Sequence, residues 1–169
     1  MILNGRQLQD LIDSDQLVTG YTNLSKQLQP AGVDLCIASV ESFIDMGAID
    51  FDNSKRVVAP AEQLEPDEDG WWTLYKGAYR ITFQEKVRIP LNAVGISIER
   101  SSVMRNGATV QVGHWDPGYI GHGQQLLVVD NPYGIRIQKG ARVACLILIA
   151  TDVVADGYLG IYQHEGDAR

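Results

Sequence analysis

The 169-residue sequence contains no apolar run that approaches the roughly 20 residues a membrane-spanning helix needs. Its first residues show no basic stretch followed by an apolar core, so a cytoplasmic protein with no membrane partner is the expectation. Cysteine is scarce. Cys36 and Cys145 both sit in apolar, strand-like runs (33–37 and 143–147) and are expected to be reduced core thiols. No Cys-x-x-Cys or His-x-Glu occurs, and His114, His122 and His164 lack ligand spacing, which excludes structural zinc and zinc-deaminase chemistry. Basic residues are outnumbered 14 to 21, for a net charge of −7. That leaves no basic face for a phosphate backbone and argues against a nucleic-acid partner. It leaves room for a nucleotide site, where a few local arginines and a magnesium ion suffice.

What is present is a chain that is 45% hydrophobic, able to bury one core and expected to form a single domain over residues 1–169. Asn4 can cap a helix over residues 5–14, in which Leu8, Leu11 and Ile12 recur at helical spacing. Strand signals then dominate, at 33–44, 56–58, 71–75, 79–83, 94–98, 109–112, 125–129, 135–137 and 142–149. Turn residues such as Gly70, Lys76-Gly77, Asn106-Gly107 and Lys139-Gly140 separate them. The pattern predicts a mainly β fold, a distorted barrel or jelly-roll with a short N-terminal helix. No repeat or linker interrupts it. The acidic stretch Glu62 to Asp69 reads as a solvated loop. Gly121-His-Gly123 is assigned to hairpin geometry, since no helix follows it to make a phosphate loop.

The chemistry is concentrated in Glu99-Arg-Ser-Ser-Val-Met-Arg105 and in Asp116-Pro-Gly-Tyr-Ile-Gly121. Two guanidiniums beside two hydroxyls suit a polyanion, because the guanidinium fork matches phosphate oxygens and hydroxyls add donors. A carboxylate in a Pro-Gly turn, three residues before a tyrosine, can reach a water and set a ring against a flat substrate. The same residues also fit a surface turn followed by an ordinary hairpin.

With the opening Met1-Ile-Leu-Asn4, Gln29-Pro-Ala-Gly-Val-Asp-Leu35, Gly140-Ala-Arg-Val-Ala144 and the tail Tyr158-Leu-Gly-Ile-Tyr-Gln163, these motifs stand in family order. The chain resembles, almost end to end, the superfamily of trimeric dUTPases and zinc-free dCTP deaminases, and most of all its archaeal-type dUTPase branch. The resemblance implies a dUTP diphosphatase that is a homotrimer with sites between subunits. It implies Asp116 as the base that activates water and Tyr119 as the ring packed on the deoxyribose, with no room left for a 2′-hydroxyl. Ser101, Ser102 and Arg105 match the phosphate-binding turn, Arg105 as a fixed cation in catalysis and Arg100 bracing the turn through a carboxylate. Asp34 matches the aspartate near the metal of trimeric dUTPases, in an outer-sphere position, or is structural in this branch. Mg2+ would arrive held mainly by triphosphate oxygens and waters. The uracil would lie against backbone between Val110 and Trp115, with Trp115 as core or pocket wall. The tail over 156–169 is a candidate mobile lid that would bring Tyr158, Tyr162 and Gln163 to substrate.

The sequence departs from the family in places that matter. Val128 stands where the deaminases carry a proton-shuttling glutamate, three residues before Asn131. A two-residue lengthening at 121–124 allows Asp130 to take that place if a bulge shifts the register. Ile161 and Glu165 replace a basic residue and a glutamine of the deaminase tail, and Cys145 replaces the glutamine of trimeric dUTPases. The glycine-rich, phenylalanine-containing arm of trimeric dUTPases is missing. Rival readings are therefore a dCTP deaminase or bifunctional deaminase–diphosphatase, and a non-catalytic nucleotide-binding protein on the same barrel.

Overall fold

Asn4 opens α1 (Gly5–Asp15): its side chain accepts from the Gln7 N–H while the Gln7 side chain accepts from the Asn4 N–H, a capping box. Leu8 and Ile12, one turn apart, form its buried face. The helix ends at Gln16, whose φ of 55° turns the chain left-handed. The structure is a computed structural model, and it describes residues 1–154 and 156–167. The end of the expected tail lid, residues 168–169, lies outside the described residues.

Past α1 come β1 (Val18–Thr19), α2 (Leu24–Gln27), β2 (Leu28–Gln29) and the long β3 (Gly32–Phe43). Next are β4 (Ala61–Leu64), β5 (Trp71–Leu74), β6 (Gly77–Phe83), β7 (Lys86–Arg88), β8 (Ala93–Glu99) and the one-turn helix α3 (Ser101–Arg105). The order closes with β9 (Ala108–Val110), β10 (Gly113–Trp115), β11 (Ile120–Gly121), β12 (Gln124–Val129), β13 (Ile135–Gln138) and β14 (Arg142–Ala150).

The main sheet runs β10-β8-β14-β3-β6-β12-β9, with β2 and β4 also paired to β3. Smaller sheets join β1-β7-β11 and β13-β5, and all these strand pairings are antiparallel. β3 lies centrally between β14 and β6, which is why residues 32–37 are buried on both faces rather than alternately. Register shifts at Ile37/Ser39 and Arg142/Ala144 bend it and curl the sheet towards a barrel. Leu35, Ile37, Phe83, Leu127, Leu146 and Leu148 fill the inside. The fold is mainly β, barrel-like, with a short N-terminal helix.

Local differences from the sequence reading have physical causes. Residues 56–58 make one bridge, Ala48 to Val57, and no strand. Part of the supposed acidic loop is β4, paired with β3 from Val40–Leu64 to Phe43–Ala61, its Glu62 and Gln63 facing solvent. Asp67 then closes the turn, accepting from the Trp71 N–H at 2.7 Å and pairing with Arg136 at 2.9 Å. Residues 101–105 form a helical turn because the Arg100 carbonyl accepts from Val103 and Met104, while Val103 seats in the core. Both cysteines are free, but only Cys36 is fully buried. Burial, with Glu85 beside Cys36 and Asp34 beside Cys145, pushes the thiols up to about 12 and about 11 respectively, which makes neither a nucleophile.

Candidate active site

β10 pairs with β8 in the register Gly113–Ser97 and Trp115–Gly95, delivering the chain to the Asp116-Pro-Gly118 turn. That turn is closed by the Tyr119 N–H donating to the Asp116 carbonyl at 3.1 Å, with Gly118 at φ +80°. An open cleft of about 500 Å³ lies between β10, the start of β12 and the C-terminal tail. Asp116, Trp115, Tyr119, Tyr158 and Tyr162, all expected at the site, line this cleft. His114, Gln125, Arg80 and Glu165 line it too.

The Asp116 side chain is 47% exposed, and its ionic neighbour is His114, Nδ1 to Oδ1 3.6 Å. No arginine or lysine pairs with it among the described residues, so it is free to accept a proton from a bound water. Trp115 is both core and cleft wall: it is 5% exposed and its indole N–H donates to the Ser97 hydroxyl at 2.7 Å. Tyr119 stands edge-on between Trp115 (5.4 Å, 78°) and Tyr158 (5.6 Å, 65°). Its hydroxyl accepts from the Gly123 N–H at 3.1 Å, and burial, with Glu165 nearby, pushes the phenol well above its usual range. Gly123 has no substitute here, since its φ is +52° and a Cβ would lie 2.2 Å from the Trp115 ring.

The tail docks on the same hairpin. The Tyr158 N–H donates to the Pro117 carbonyl at 2.8 Å, His164 N–H to Ile120 at 2.7 Å, and the Glu165 carbonyl accepts from His122 at 2.8 Å. Lys86 and Asp167 pair at 2.6 Å. Gln163, expected at substrate, is instead an anchor: its amide accepts from the Ile120 N–H and donates to the Gly118 carbonyl, both at 2.9 Å, which uses both ends. Glu165 faces Arg80, itself held by Glu41 at 2.7 and 3.2 Å. Burial raises the Glu165 carboxyl against the pull of Arg80, and Glu41 adds to the rise.

The expected phosphate residues lie elsewhere in the chain. Ser101, Ser102 and Arg105 are exposed on α3, outside the cleft wall. Trp115 pairs with Gly95, six residues before Ser101 on an extended strand, which sets α3 on the order of 15–20 Å from Trp115. Asp34 is 2% exposed, and its Oδ2 lies 2.9 Å from Arg100 Nε and 3.1 Å from Arg142 Nη1. Oδ2 thus meets two guanidiniums, and Asp34 is not among the residues that line the cleft. Of the two readings of Asp34, the pairing supports the structural one, in which its carboxylate meets Arg100. Burial raises the Asp34 carboxyl, opposed by both arginines. Among the described residues no group of three or more His, Cys, Asp or Glu side chains gathers as a metal cage.

β12 pairs with β6 without interruption from Gln124–Thr82 to Val129–Gly77. No bulge shifts Asp130, which lies exposed beyond the strand end, and neither it nor Val128 reaches the cleft wall. The residues that sequence reading missed have traceable signals. Gln125 alternates with Leu127 and Val129 on the buried face, a mark of a buried amide. Arg80 and Glu41 are cross-strand partners and become visible only with the β3–β6 register.

A family model described as dCTP deaminase-like matches residues 2–151. A probable deoxyuridine 5'-triphosphate nucleotidohydrolase of Methanosarcina mazei is 39% identical over 166 residues, covering 97% of each chain. The protein of that name from Aeropyrum pernix is 39% identical over 167 residues, covering 98% of this chain and 99% of its own. The crystal structure of 2'-deoxycytidine 5'-triphosphate deaminase from Agrobacterium tumefaciens superposes with a TM-score of 0.66 at 18% identity, over 87% of this chain and 48% of that one. This chain therefore spans about half of that deaminase, and the likeness speaks for the fold alone. The chain belongs to the dCTP deaminase-like family.

Proposed function

We propose that the chain is a dUTP diphosphatase, which hydrolyses dUTP to dUMP and pyrophosphate by water attack at the α-phosphorus. The observation that carries this reading is Asp116: a half-exposed carboxylate, unpaired with any arginine or lysine among the described residues, on the wall of a cleft with aromatic sides. Asp116 takes the proton of the attacking water. The new bond forms from water oxygen to α-phosphorus, and the bond to the bridging oxygen breaks with pyrophosphate leaving. Tyr119 bears on the deoxyribose, and Trp115, Tyr158 and Tyr162 enclose the nucleoside. The near-full-length relatives that carry the dUTP nucleotidohydrolase name support this choice of substrate.

Ser101, Ser102 and Arg105 cannot grip a triphosphate beside their own chain's Asp116, because α3 is on the order of 15–20 Å away along the sheet. A neighbouring copy would have to supply them, as in the homotrimer with shared sites that the family resemblance implies. A magnesium ion would be brought with the substrate, held by the triphosphate oxygens and its own waters, since no carboxylate cage forms among the described residues. Magnesium would neutralise charge on the phosphate oxygens. A cytoplasmic location follows from that substrate.

The deaminase alternative is disfavoured by Val128, a hydrocarbon where that chemistry needs a proton-shuttling glutamate, and by the unbroken β12 register, which has no bulge to bring Asp130 into its place. A pure binding protein would gain nothing from a carboxylate facing a triphosphate. The test is product analysis with dUTP and dCTP in magnesium. Pyrophosphate matching dUMP from the first and no ammonia from the second is the expected result; ammonia from dCTP would replace this reading with the bifunctional one.

A further inference from the structure

His114 lines the cleft, and the proposed reaction leaves it unused. Its place follows from the pleat of β10. Trp115 turns inward, 5% exposed, with its indole on the Ser97 hydroxyl. Successive side chains of an extended strand face opposite ways, so His114 and Asp116 both stand on the cleft side. The pair approaches to 3.6 Å, His114 Nδ1 to Asp116 Oδ1, with the side chains 61% and 47% exposed.

Neither side chain has another hydrogen bond or ion pair among the described residues. Arg80 also lines the cleft, but Glu41 holds it at 2.7 and 3.2 Å, which leaves His114 as the side chain with a donor to spare beside Asp116. A separation of 3.6 Å is about half an ångström beyond an N–H···O hydrogen bond, and a small rotation of either exposed side chain closes it. The imidazole can donate from Nδ1 both neutral and charged. The consequence falls on Asp116. Its turn fixes the backbone through the Tyr119 N–H but does not aim the carboxylate, and a base works only while the accepting oxygen faces the water. An N–H on Oδ1 pins the group and leaves Oδ2 for that water.

We infer that His114 is a positioning residue of the hydrolysis, its Nδ1–H donating to Oδ1 of Asp116 so that Oδ2 meets the attacking water. The inference rests on the dUTP reading and adds to it the side chain that aims the base. His114 acts through Asp116 and not on the phosphates, so its loss lowers turnover and leaves substrate binding in place.

The test is steady-state hydrolysis of dUTP by wild type, His114→Leu and His114→Asn, with thermal melts to verify folding. Leucine has no donor, whereas the asparagine amide carries its NH2 at the branch position that Nδ1 takes in histidine. His114→Leu is expected to lower kcat about tenfold to a hundredfold, the range for a hydrogen bond to a charged group, with KM within about twofold. His114→Asn recovers most of that loss. A wild-type kcat in His114→Leu overturns the inference, and so do equal losses in the two variants. A raised KM with kcat unchanged would make His114 a phosphate contact and overturns it too. Each of these leaves the dUTP reading standing; wild type that does not hydrolyse dUTP overturns both.

Discussion

Asp116 owes its usefulness to what surrounds it. Pro117 and Gly118 shape the turn, the Tyr119 N–H closes it, and the carboxylate is left facing the cleft with only His114 nearby. Its negative charge is a cost for binding a triphosphate and a benefit only for removing a proton. Asp116→Asn is therefore expected to lower kcat by about a hundredfold or more while dUTP binding is kept or tightened. Single-turnover hydrolysis beside equilibrium binding checks it, and a variant that retains most of its turnover would reduce Asp116 to a turn former. The Asp-Pro-Gly-Tyr turn was legible in the sequence because its chemistry is local. Gln125 was not: its partner Ser97 is 28 residues away on β8, and the pair exists only once the curled sheet brings β12 against β8.

At the scale of elements, the tail is the part whose state the site depends on. It docks through backbone bonds to residues 117–122, through the Gln163 amide, and through two charged contacts of opposite pH behaviour. Glu165, raised by burial against Arg80 and with Glu41 adding to the rise, favours docking in its neutral form. Its contribution is full below the ordinary carboxylate range and is lost as pH rises through the raised value. Asp167, lowered by Lys86 and helped by His164 and His122, works in the other direction, losing its contribution as pH falls. Glu165→Gln is expected to strengthen docking near neutral pH and to flatten its pH dependence above the ordinary carboxylate range. Hydrogen exchange at the His122 and His164 amides, both held by the docked tail, reads this. An identical pH slope in the variant would remove Glu165 from the latch. The tail's aromatic residues could be named from sequence, but not its mode of docking. Gln163 became an anchor because the carbonyl of Gly118 and the N–H of Ile120 present its two ends with partners. By contrast, α1 was readable nearly to the residue, since the Asn4–Gln7 box and the Leu8–Ile12 stripe are both local.

At the scale of the molecule, the two motifs proposed to share the chemistry do not lie in one place. The motifs are adjacent in sequence, Arg105 and Asp116 being eleven residues apart, yet β8 and β10 run antiparallel and carry α3 and the aspartate turn to opposite ends. Their closeness in sequence is not closeness in space, because the strand register separates them. If copies share sites, mixing inactive Asp116→Asn with inactive Arg105→Ala should restore part of the activity, because some sites would combine two intact halves. Activity that stays at the level of the separate variants after subunit exchange would place both halves of each site in one chain.

The proposed reaction turns on attack at the α-phosphorus by an Asp116-activated water. Hydrolysis of dUTP in oxygen-18 water, followed by mass analysis of both products, tests it most directly. The label is predicted in the phosphate of dUMP and absent from pyrophosphate; label in pyrophosphate, with unlabelled dUMP, would place the attack at the β-phosphorus and contradict the mechanism.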